Sequence, residues 1–91
     1  MMTDLTAAKA PKNVTIQSAV QQRGGIFAFI DVDGLVFAAT LKIGIDGEAD
    51  VQLVEFDAHH RWHGRHRAAA EGLAKATMFS ILDKLVRLKK N

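Results

Sequence analysis

The stretch HHRWHGRHR, residues 59–67, gathers all four histidines of the chain, its single tryptophan and three of its five arginines. Such side chains can do two kinds of chemistry. Imidazoles on one helix face can converge on a metal ion, and arginines at a helix start can hold an anion. The metal reading takes the helix to begin near Asp57. His59 and His63 are then four residues apart, His66 lies one turn further on, and Asp57 is a fourth donor. Two features oppose it. The HExxH pattern is missing, and Arg61, Arg65 and Arg67 would repel a divalent cation. The expectation is no bound metal and no cofactor.

The anion reading uses the same residues differently. A helix N-terminus carries partial positive charge and free N–H donors, so arginines there are unfavourable until an anion sits among them. Arg61 and Arg65 form an i, i+4 pair on one side, with Arg67 and His60 on another. Trp62 has two uses, stacking on a base or anchoring the helix to the rest of the fold. Anchoring has the greater weight for a lone tryptophan in a small core. His60, Arg61, Trp62, Arg65 and Arg67 together make an expected nucleic-acid-binding patch.

Charge distribution points the same way. The net charge of +2 conceals an asymmetry. Residues 1–57 hold four Lys/Arg against eight Asp/Glu, a net −4, whereas residues 58–91 hold eight against two, a net +6. A basic half suits an anionic partner such as DNA or RNA. The competing explanation is a solvated helix face ending in the basic RLKKN tail.

One further stretch bears on the same question. Phe27-Ala28-Phe29-Ile30 resembles the aromatic heart of the RNP1 pattern, in which sheet aromatics stack on bases. An RNA-recognition motif needs a strand and a helix ahead of RNP1, and the residues before Gly25 cannot supply both. Cold-shock barrels share a similar strand but lack a long C-terminal helix. GRHRAAAEGLAKATMFSIL resembles the last helix of a double-stranded-RNA-binding domain, yet that domain also begins with a helix. No family membership follows. Phe27 and Phe29 fit a core or an interface better than a stacking platform.

Catalysis has little to stand on. Ser18 and Ser80 lie in no nucleophile motif, no phosphate-binding glycine loop is present, and Asp33 and Asp46 belong to turn sequences. Absence of cysteine removes thiolate chemistry and disulfides. A non-enzymatic protein is expected.

The elements that must position these residues follow from periodicity. Ninety-one residues make one domain. Residues 1–12 are small and polar and read as a flexible tail, leaving 13–91 as a single α+β domain. VTIQSAV (14–20), IFAFIDV (26–32), LVFAATLKI (35–43) and VQLVEF (51–56) alternate as strands do. Gly24-Gly25, Asp33-Gly34 and Asp46-Gly47 are turn signals between them, so neighbours pair as an antiparallel meander. In the first strand Val14, Ile16, Ser18 and Val20 are expected on one face. After Asp57, a candidate N-cap, the period becomes helical. Ala70, Leu73, Ala74, Thr77, Ile81, Leu85 and Leu88 form one face, and the helix packs on one face of the sheet. Gly64 and Gly72 each weaken it by about 1 kcal/mol relative to Ala.

Two apolar surfaces remain over. Phe27 and Phe29, near Val36, Val54 and Phe56, face away from the helix, and Phe79, Leu82 and Val86 form a second helix stripe. A homodimer using Phe27, Phe29, Phe79, Leu82 and Val86 would cover both. No stretch is apolar enough to span a bilayer, because Asp31 and Asp33 interrupt the best candidate. The N-terminus lacks a signal-peptide pattern, so a cytoplasmic protein is expected. Two functions follow from these surfaces. The first is a small nucleic-acid-binding module using the Arg/His patch. The second is a small protein-binding factor, such as an inhibitor, antitoxin or phage accessory protein, acting through apolar and basic surfaces.

Overall fold

The structure is a computed structural model that describes residues 10–90. Four strands form one antiparallel sheet in chain order: β1 (Val14–Gln22), β2 (Gly25–Val32), β3 (Leu35–Ile43) and β4 (Ala49–Ala58). A single helix, α1 (Gly64–Lys90), follows and packs against the sheet. This is the α+β meander-plus-helix that the periodicity implies. The tail expected over 1–12 lies outside the described residues up to residue 9. Its end is docked: Pro11 is buried, and the backbone N–H groups of Lys12 and Asn13 donate to Asp33 Oδ2 at 2.8 and 3.0 Å.

The turns have the chemistry that their residues dictate. Asp33 and Gly34 both take positive φ, 45° and 100°, as a type I′ hairpin requires. Asp31 Oδ1 accepts the Gly34 N–H at 2.8 Å, which holds that turn from inside. Between β3 and β4, Gly47 has φ 87° and Asp46 Oδ1 accepts the Glu48 N–H at 3.1 Å.

The core is the alternate set of the two central strands. Ile26, Ala28, Ile30 and Val32 of β2 and Leu35, Phe37, Ala39 and Leu41 of β3 are buried under α1. The helix contributes Ala70, Ala74 and Met78, all fully buried, with Leu73, Ile81, Leu82 and Leu85 packed around them. Small alanines bring the helix axis close to the sheet, and Met78 fills the space further along. The expected stripe is therefore rotated slightly. Leu88 is 70% exposed, and Leu82 belongs to the core rather than to a separate stripe.

Two bulges change which residues share a face. In β1 the pairing runs Ile16↔Ile30 and then Ser18↔Phe29, so Gln17 is the extra residue. One extra residue reverses the alternation beyond it. Val14 and Ile16 face the helix side, while Ser18 and Val20 lie on the opposite face beside Phe29 and Phe27. The single-face expectation for the four residues is corrected accordingly. In β4 the register skips Phe56, between Glu55↔Phe37 and Asp57↔Val36.

The helix begins later than expected. Asp57 lies within β4, paired to Val36, and its Oδ1 accepts the Ala58 N–H at 2.8 Å. It is not the helix N-cap. Pairing with β3 continues to Leu35↔Ala58, and Gly34 O then accepts the N–H groups of His59 and His60 at 2.7 and 3.1 Å. Those backbone bonds hold His59 and His60 in a bend outside the helix. The helix starts where His63 O accepts the N–H groups of His66 and Arg67 at 3.1 and 3.3 Å. Gly64, with φ 55°, makes the entry turn that an L side chain would strain.

Candidate functional site

Trp62 sits in the connection between β4 and α1, at the bottom of the HHRWHGRHR stretch. Its ring is 8% exposed, and its Nε1–H donates to Val32 O at 3.2 Å. His60 lies edge-on at 4.4 Å between ring centroids, and His66 lies on the ring at 5.7 Å. The anchoring role holds: the indole pins the connection to the end of β2 and satisfies its own polar atom.

Beside it, two of the three arginines are held by carboxylates. Arg61 Nη2 lies 2.9 Å from Glu55 Oε2, and Arg67 Nη1 lies 2.9 Å from Glu55 Oε1. Arg67 Nε also donates to Glu71 Oε2 at 3.0 Å, one helical turn on. The Arg67 guanidinium rests over Phe37, 5.5 Å from the ring centroid. Hydrogen bonds to Glu71 first and to Glu55 second raise the Arg67 pKa above the usual guanidinium value. One carboxylate thus ties two of the three arginines to the sheet, and a second shares Arg67. The repulsion expected from cations at a helix start is relieved within the chain. Arg65 is different. It is exposed and enters no ion pair among the described residues.

Glu55 was the missed residue. Val51, Leu53 and Glu55 share the β4 face that packs toward the helix, since they pair with Leu41, Ala39 and Phe37. A carboxylate in an inward register position, a few residues before three arginines, is the sequence signal that could have found it.

The histidines do not assemble as a helical row. His59 and His63 lie in the non-helical connection, so their four-residue spacing does not put them on one helix face. His59 Nε2 lies 3.7 Å from Asp57 Oδ2, with both side chains largely exposed. Among the described residues no group of three His, Asp or Glu side chains is placed to share a metal ion.

The opposite face of the sheet carries a second feature. Phe27 and Phe29 meet edge to face at 5.2 Å, and Phe29 meets Phe56 at 4.7 Å. Phe56 shares this face with Val54 by alternation, and the extra residue turns Asp57 onto it as well. Phe56 is 64% exposed and Val54 65%, with exposed Val20 on the neighbouring row. Acidic residues border the rings: Asp31 and Asp57 flank Val36 across the strands, and Asp50 pairs with Lys42 at the far end.

No family model, curated protein or solved structure matches this chain. Its chemistry has to be read from its own surfaces.

The five residues expected at one dimer interface do not form one surface. Phe27 and Phe29 lie on the helix-free face, whereas Phe79, Leu82 and Val86 belong to the helix on the other side of the sheet. Leu82 is packed against the core, and Phe79 and Val86 remain exposed. A flat contact can cover one set or the other.

Two concave sites lie away from the aromatic face. A cleft of about 320 Å³ is lined by Lys12, Asn13, Asp33, His60 and Trp62, and one of about 220 Å³ separates Gln21 and Gln22 from Leu82, Leu85 and Val86. The aspartates of the turns are occupied in backbone hydrogen bonds. Among the described residues no helix is long and apolar enough to cross a membrane.

Proposed function

We propose that the chain is a small, non-enzymatic protein-binding factor whose contact surface is the helix-free face of the sheet. The observation that carries this reading is the chain of ring contacts from half-buried Phe27 through half-buried Phe29 to exposed Phe56, extended by exposed Val54 and Val20. Burying an apolar side chain of this size contributes roughly 1.5–3 kcal/mol when it goes from fully exposed to fully covered. Covering a half-exposed set of this kind is a substantial drive to association. A flat apolar face fits the surface of another protein better than a small ligand, which prefers a concavity. The neighbouring Asp31 and Asp57 disfavour a polyanion stacked on the phenylalanines and suit a partner with a basic rim. An inhibitor, antitoxin or phage accessory protein has these requirements.

Nucleic-acid binding is the second reading, and one observation favours it. Arg65 stands exposed without an internal carboxylate, on a segment whose net charge is +6. Arg61 and Arg67 already share their charge with Glu55, which lessens what they offer a phosphate. The two readings separate in one experiment. Binding to DNA and RNA oligonucleotides is followed by fluorescence anisotropy at two salt concentrations, beside capture of proteins from the native host. Phe29→Lys with Phe56→Lys is the test of the aromatic face, and Arg65→Ala the test of the basic one. The protein reading expects one partner protein, retained in near-stoichiometric amount, that the phenylalanine variant loses and the arginine variant keeps. Salt-dependent oligonucleotide binding that Arg65→Ala weakens would instead establish the second reading.

A further inference from the structure

We infer that two copies of this chain associate edge to edge through β1, joining their sheets into one continuous antiparallel sheet. The inference is independent of what covers the aromatic face. It starts from the two free edges. β1 and β4 are the outer strands, and an outer strand leaves a row of N–H and C=O groups without partners in the sheet. The two edges differ in chemistry. β4 carries Asp50, Glu55 and Asp57 and is interrupted by a bulge at Phe56. β1, VTIQSAVQQ, has no charged residue and no proline, and every residue after Val14 is exposed.

Charge decides which edge can meet its own copy. A two-fold axis lays a strand antiparallel to itself, so every charge it carries recurs on the facing strand. In β4 that sets carboxylates against carboxylates. In β1 nothing repels.

The register fixes the pairing. Gln22 pairs with Gly25 across the tight turn Arg23-Gly24. Backbone bonds alternate sides along a strand, so Gln22, Val20 and Ser18 bond to β2, and Ala19 and Gln21 turn theirs outward. A two-fold axis at Val20 then sets Ala19 opposite Gln21 of the partner subunit, and Gln21 opposite Ala19 of the partner subunit. Each such pair exchanges both backbone bonds. Val20 faces the partner subunit's Val20 as a non-hydrogen-bonded pair, the geometry in which side chains lie closest. Both valines lie on the face of Phe27, so the aromatic surfaces of the two copies become continuous. The bulge at Gln17 ends the regular ladder, which confines the contact to Ser18–Gln22. So short a contact falls below a standard interface, and the dimer is reversible and concentration-dependent. It is also closed, because each β1 edge is used once.

Sedimentation velocity over a concentration series, from low micromolar to the solubility limit, tests this. Ala19→Pro removes an outward N–H without touching the bonds to β2, since proline is tolerated where the N–H of an edge strand faces solvent. Val20→Lys sets two ammonium groups opposite each other. The wild-type chain should move from one to two chain masses as concentration rises. Each variant should weaken that association about tenfold or more, with an unchanged circular dichroism spectrum, and Phe56→Lys should leave it intact. Should Ala19→Pro fail to fold, Val20→Lys decides alone. A wild-type chain that stays monomeric at its solubility limit overturns the proposal. So does a dimer indifferent to both β1 variants, or growth beyond two copies.

Discussion

Trp62 and Glu55 hold the HHRWHGRHR stretch against the sheet. The indole contributes both apolar burial and one hydrogen bond, to Val32 O. Trp62→Ala should destabilise the fold by about 3–5 kcal/mol, and Trp62→Phe by a smaller amount that includes about 1 kcal/mol for the lost bond. Urea denaturation of the three proteins measures both. Arg67 adds charge-assisted bonds to Glu55 and Glu71 and a contact over Phe37, in a partly exposed setting. Arg67→Ala should lose about 1–2 kcal/mol. Its sign with pH follows from the raised pKa. A base held above its usual value stabilises the fold at every pH where it is charged, and that stability is lost only as pH climbs through the raised value in strong alkali. The deficit of Arg67→Ala should therefore be equal at about pH 6 and about pH 9 in paired thermal melts. The arginines were legible in the sequence as a charge cluster. Their partner was not, because Glu55 comes from another element and only the β4 register turns it inward.

Among the elements, β2 and β3 were the most legible and β1 the least. β2 and β3 pair without a register shift, and their hairpin is fixed by Asp33-Gly34, which takes the positive φ values such a turn needs. In β1 a single extra residue, Gln17, exchanges the faces of Ser18 and Val20, and nothing in VTIQSAVQQ announces it. Helix onset was misplaced for a related reason. Asp57 is a good N-cap by type, but Gly34 O captures the N–H groups of His59 and His60 and keeps the chain out of the helix until Gly64. Two glycines should prove sensitive. A Cβ at Gly25 would collide with the backbone carbonyl of Leu41, which cannot move without disturbing β3. A Cβ at Gly34 would stand 2.8 Å from His60 Cβ at a φ of 100°. Gly25→Ala and Gly34→Ala should each lower the melting temperature by several degrees, consistent with roughly 1–3 kcal/mol of strain. Gly24→Ala meets no atom and pays only for its positive φ, so it should be milder than Gly25→Ala in the same melt.

For the whole molecule, the sheet has one face under the helix and one face bearing half-buried Phe27 and Phe29 beside exposed Phe56. The surplus of apolar residues in β2 was visible as alternation that is hydrophobic on both sides, and Phe56, two residues beyond Val54 in β4, joins that surplus. The helix stripe expected to share the burden gives one of its three residues to the core, because Leu82 packs inward while Phe79 and Val86 stay exposed. Internal pairing of Arg61 and Arg67 shifts weight from phosphate recognition to the aromatic face. The most direct measurement is affinity capture from the native host with equal amounts of wild type, the Phe29→Lys/Phe56→Lys variant and Arg65→Ala, quantified by mass spectrometry and by absorbance of bound nucleic acid. A protein-binding face predicts one partner protein on the wild type and on Arg65→Ala, at least about tenfold depleted from the phenylalanine variant, with nuclease making no difference. Equal recovery of that partner on the phenylalanine variant, or nuclease-sensitive material lost only with Arg65→Ala, would contradict it.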